Sequence, residues 1–156
     1  MTLPPKKTLI TGLFALFISF VFIQSLFFKF TGAPETIHIF STLDAWAASL
    51  TGISGLFTPP GPFNAYVIGT LELIASVLLL VGLFTARKVL IPLGALLALG
   101  IISGAIFFHL FTPLGVEVQG DGGTLFIMAC LVWLSAAGLL VLHKDKLCNL
   151  CKSCKS

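Results

Sequence analysis

One acidic side chain interrupts the second of four long apolar runs in this chain: Glu72, inside the run 66–84. Holding a carboxyl at the centre of a membrane helix costs on the order of 3 kcal/mol on insertion scales, so such a residue needs partners and marks a candidate site. Glu72 lies about two turns into its run, roughly 9 Å at 1.5 Å per residue. At similar depth, Gln24 lies near the end of the first run, and Lys29 and His109 close the first and third; Thr70 and Ser103 are also in range. Gln24, Lys29, Glu72 and His109 are therefore candidate ligand-binding residues, with Glu72 and His109 as a candidate proton relay. Burial would raise the Glu72 pKa and proximity to Lys29 would lower it. Two states are open: a neutral Glu72 donating to a ligand carbonyl, or an ionised one paired with Lys29 or a protonated His109. The same residues also fit a polar clamp between helices with no ligand.

A second cluster with chemical potential is Cys148, Cys151 and Cys154 near the C-terminus. Two overlapping CxxC units could bind a soft metal or cycle as a dithiol. A closed zinc or iron–sulfur site takes four ligands, and Cys130 lies inside the fourth run, out of reach. The other reading is a variable tail with incidental thiols.

These residues must be positioned by membrane helices. The 156 residues are 57% hydrophobic and only 10% charged, whereas a soluble domain carries roughly 25% charged residues. The runs 9–28, 66–84, 89–108 and 125–142 are each near the ~20 residues that cross hydrocarbon as a helix. So few segments cannot close a barrel, so the expected fold is all-α: a four-transmembrane-helix bundle over 1–147 and a Cys-rich cytoplasmic tail over 148–156. The first run exceeds a secretory signal core of ~7–15 residues and no small-x-small cleavage site follows it, so it reads as a retained span. Lys6, Lys7, Arg87, Lys88, Lys144, Lys146, Lys152 and Lys155 fall on one side and only Lys29 on the other. The positive-inside rule then puts both termini in the cytoplasm and Glu35, Asp44, Glu117 and Asp121 outside. The net charge of +3 comes with no basic stripe, and no nucleic-acid role is expected.

Between spans one and two, Ile37, Phe40, Leu43, Trp46, Ala47 and Leu50 recur at helical spacing, which predicts an outer amphipathic helix at the interface or over the bundle's mouth. Residues 52–62, rich in Gly and Pro, read as a turn region. Asp121 or Thr124 is a candidate cap for the fourth span. Gly100 and Gly104 form a GxxxG spacing and Ser135, Ala136, Ala137 and Gly138 soften the fourth span, so close helix packing is expected at both, within the bundle or in a homodimer.

Three motifs carry a family resemblance: Lys29-Phe30-Thr31-Gly32 after span one, Glu72-Leu73 followed by Leu79, Leu80 and Gly82 in span two, and Asp121-Gly122-Gly123 before span four. With the topology, they make nearly the whole chain resemble the DoxX/DoxD-like family of small bacterial four-helix membrane proteins. The resemblance implies an inner-membrane, quinone-linked or redox-associated subunit; some members are tied to thiosulfate:quinone oxidoreduction, others to oxidative-stress complexes. The cysteine tail is not part of that pattern. On this reading a membrane quinone or lipid-like molecule binds in the outer half of the bundle. No dinucleotide fingerprint, flavin site or axial histidine pair for haem is evident, since His38, His109 and His143 do not pair within the membrane. Catalysis would then need a partner redox subunit. The alternatives are a non-catalytic membrane anchor or assembly subunit and, third, a small transporter.

Overall fold

A computed structural model describes residues 6–85 and 87–146. It contains α1 (Lys6–Thr31), α2 (Pro34–Thr51), α3 (Ala65–Phe84), α4 (Leu90–Phe111) and α5 (Thr124–Leu142). α1, α3, α4 and α5 are each long and apolar enough to cross a membrane. In lipid every backbone N–H and C=O must be paired within the protein, which helices do by themselves. The all-α, four-span expectation holds, with α2 as the shorter helix between spans one and two. The cysteine cluster at Cys148, Cys151 and Cys154 lies outside the described residues.

Local chemistry sets the helix ends. Gly32 turns the chain with φ 67°, and Pro34 opens α2, where its missing N–H costs no hydrogen bond. Gly52 closes α2 in the left-handed conformation with its N–H on the Ala48 carbonyl. Asn64 caps α3, its Oδ1 accepting from the Tyr66 and Val67 amides at 2.8 and 3.1 Å. At the other end of α3, Lys88 Nζ donates to the Leu83 carbonyl at 2.9 Å, a favourable place for a cation on a helix dipole.

The four long helices form a ring in which α1 and α4 each pack between α3 and α5. Small side chains bring them together: Ala15, Ala75, Ala95, Ala98 and Ala136 are fully buried beside Ile18, Leu79, Val132 and Leu139. The tightest approaches lie in the half of the bundle away from α2. A Cβ on Gly82 would sit 2.9 Å from the Ile91 backbone nitrogen, and one on Gly94 3.0 Å from the Ala75 carbonyl oxygen. On α5, Gly138 receives the Phe14 ring of α1. Packing at Gly138 agrees with the sequence reading; within the bundle, Gly100 and Gly104 pack against no neighbouring helix. A Cβ built on either meets nothing within 4 Å, so the GxxxG spacing makes no helix seam within the bundle.

α2 lies over the end of the bundle where α1 stops and α3 begins. Leu43 and Ala47 bury against Phe57, Leu114 and Val118 from the two outer loops, and Trp46 meets the Phe108 ring edge-on at 6.2 Å. The amphipathic face is narrower than its spacing suggested: Ile37 and Leu50 are exposed. Asp44 ties the 52–64 loop to α2, accepting from the Gly55 and Phe57 amides at 3.0 and 2.8 Å. Those N–H groups, led by that of Phe57, hold its carboxyl below the usual carboxylate range against a smaller opposing effect of burial.

Candidate functional site

Glu72 is buried on α3 and faces α1. Its carboxylate is gripped by two α1 side chains one turn apart. Lys29 Nζ stands 2.9 Å from Oε2 and 3.1 Å from Oε1. Ser25 Oγ lies 2.6 Å from Oε2 and itself accepts from Lys29 Nζ at 3.1 Å. The single Ser25 hydrogen is contested by the Phe22 carbonyl at 2.9 Å; the charge-assisted bond to Glu72 is the stronger. Of the two states left open by the sequence, the geometry is that of a Lys29–Glu72 ion pair, the one such pair among the described residues. The side chains are 16% and 7% exposed, so water screens the pair little.

Sequence and packing both contribute to this closeness. Ser25 and Lys29 are four residues apart and share a helix face. Opposite them, a Cβ on Gly69 would press on the Phe30 ring at 3.0 Å and on Leu26 at 3.4 Å. The absence of that carbon lets α1 lie against α3 one turn from Glu72.

The ion pair forms part of the wall of a cavity of about 880 Å³. Its walls come from all four long helices, with α2 and the 57–63 loop above. They are mostly apolar: Phe22, Ile68, Leu71, Leu97, Ile101, Phe108 and Met128 line it. Gly100 and Gly104 face it, which accounts for the empty space where their Cβ atoms would be. α3 and α4 touch through Gly82 and Gly94, and the cavity fills the gap between their halves nearer α2. Its flank there carries Val67 and Leu96, both well exposed.

His109 contributes from α4. It is 7% exposed and lines the same cavity. Its Nδ1 lies 2.7 Å from the Gly115 carbonyl oxygen, and the Phe126 ring packs edge-on at 5.7 Å. The loop bearing Gly115 is held by Asp121, whose carboxylate accepts from the amides of Val118, Gly123 and Leu125, each at 2.9 Å. Burial works to raise the Asp121 pKa, but these N–H bonds outweigh it and leave the carboxyl below its ordinary value. Gly123 is the N-cap of α5 and Asp121, two residues before it, satisfies the first-turn Leu125 amide from the loop, while Thr124 Oγ1 turns back to the Asp121 carbonyl.

A match to the DoxX family spans residues 12–110. The chain belongs to the DoxX family. Curated proteins and solved structures yield no significant match. In this DoxX protein the matched segment holds Ser25, Lys29, Glu72 and His109, while the Asp121 loop and α5 lie beyond it.

The residues expected at the site divide. Lys29 and Glu72 are in contact, and His109 shares their cavity. Gln24 is exposed on α1 and does not line the cavity, because it is turned about 100° from Ser25 on the helix. Thr70 is spent on the Tyr66 carbonyl, and Ser103 accepts from the Trp133 indole at 3.1 Å. Ser25 is the member that depth along the helix missed. Its spacing to Lys29 was the signal that could have found it.

Proposed function

We propose that this DoxX-family membrane protein is a redox-associated inner-membrane subunit that binds a quinone or lipid-like amphiphile, polar head toward Lys29, Ser25 and Glu72 and apolar tail in the cavity between α3 and α4. One observation carries the reading: a charged, hydrogen-bonded cluster is built into the wall of an apolar cavity of about 880 Å³, a size within the usual range of small-molecule sites. A polar clamp alone does not need that volume. Lys29 lies on the cavity wall and can turn an N–H from this cluster to a ligand oxygen. Quinone reduction takes up protons with electrons, and Glu72 and His109 are titratable groups at the cavity wall that can pass them. A partner redox subunit supplies the electrons in this scheme.

Mass spectrometry of small molecules retained by purified wild type and Glu72→Gln protein in mild detergent tests it. A stoichiometric quinone or isoprenoid held by wild type and lost from a still-folded variant is expected. An empty wild type, or phospholipid held equally by both, would reduce the cluster to a clamp.

A further inference from the structure

His109 carries information about the head group that the ion pair does not. A carbonyl oxygen only accepts, so at 2.7 Å from Gly115 the Nδ1 atom must be the donor. In the neutral ring this fixes the tautomer and leaves Nε2 with a lone pair. Among the described residues Nε2 has no hydrogen-bond partner, although the side chain is 7% exposed and lines the cavity. The Gly115 carbonyl is not free to follow another tautomer: Gly115 sits at φ 71°, and Asp121 pins the following residues through three amides. Phe126 holds the ring from the side. The ring is thus oriented by its surroundings and presents one unpaired acceptor. At Lys29 the ligand meets the opposite chemistry, an N–H donor.

We infer that His109 is a specificity-determining residue that selects amphiphiles whose head group carries a hydroxyl, donated to Nε2. This rests on the reading of the cavity as an amphiphile site. A head bearing only carbonyl or ether oxygens, as an oxidised quinone does, would satisfy Lys29 but leave Nε2 unpaired, so it binds more weakly than its hydroxylated, reduced form. A hydroxylated ring meets both demands, accepting from Lys29 and donating to His109. A site that leaves an acceptor unpaired disfavours an analogue that lacks the matching hydrogen.

A matched probe pair tests this: para-decylphenol and its methyl ether, para-decylanisole, measured for binding to the full chain in nanodiscs, with empty nanodiscs subtracted. Wild type is expected to prefer the phenol by roughly five- to tenfold, the worth of one net hydrogen bond. His109→Asn keeps an amide N–H where Nδ1 stood, so the Gly115 bond and the loop survive, but leaves no acceptor at the Nε2 position. It should bind the ether as wild type does and lose the preference. Lys29→Met should weaken both probes alike. Equal binding of both probes to wild type would overturn the inference and leave the amphiphile site standing. Binding of neither probe would overturn both.

Discussion

The Lys29–Glu72 pair is a high-stakes contact because each charge is stable in the bundle only through the other. Breaking a buried pair by removing one partner leaves an uncompensated charge and costs about 3–5 kcal/mol, whereas replacing both by apolar groups is often near neutral. Lys29 lies near the outer end of α1 and can turn its amine toward the surface, so loss of Glu72 should sit at the low end of that range. Glu72→Leu and Lys29→Met should each lower stability in detergent unfolding. The double variant should be more stable than the sum of the two losses predicts; strict additivity would show that the charges do not support each other. Helix phase at this scale was not legible in the sequence. α1 is apolar around its whole circumference, so no hydrophobic stripe distinguished the Ser25 face from the Gln24 face.

Among the helices, glycine has two opposite uses. At Gly82 and Gly94 it permits contact between α3 and α4, and a methyl group there would meet backbone atoms at 2.9 and 3.0 Å. Alanine at either should destabilise by about 1–3 kcal/mol through overpacking. At Gly100 and Gly104 the space is open and belongs to the cavity. Alanine there should be neutral or stabilising, by up to roughly 1 kcal/mol, since glycine is a poor helix former. Leucine at Gly104 should leave the fold intact and displace a bound amphiphile, read by the same small-molecule mass spectrometry. The Asp121 loop behaves differently, because it depends on charge. The carboxyl is held below its ordinary value in the fold. Its contribution is therefore complete above the unfolded carboxylate pKa and lost as pH falls through the folded one. Asp121→Ala should cost about 1 kcal/mol, as for a lost helix cap, and should flatten the acid limb of a thermal stability profile against pH.

At the scale of the whole molecule, the bundle is closed where α3 and α4 meet through Gly82 and Gly94, and hollow under α2. The cavity and its polar wall thus lie at the end that the positive-inside rule assigns to the outside. Cysteine accessibility checks that orientation. In a background with the native cysteines replaced by serine, Ser49→Cys on α2 should react with a membrane-impermeant maleimide on intact cells. Lys144→Cys should react only after permeabilisation. The reverse pattern would turn the cavity toward the cytoplasm.

Sequence alone determined that this chain spans a membrane four times as helices, that a helix lies between the first two spans, and that Glu72 needs a partner. The reason is that span length, charge and backbone pairing in lipid are properties of each segment by itself. Only the tertiary structure decided which partner Glu72 takes, that Ser25 and not Gln24 joins it, and that Gly100 and Gly104 line a cavity instead of a seam. Those outcomes depend on helix rotation and on the distance between helices. In a chain whose spans are apolar on every side, both are set by packing against neighbours and leave no periodic trace in the residues.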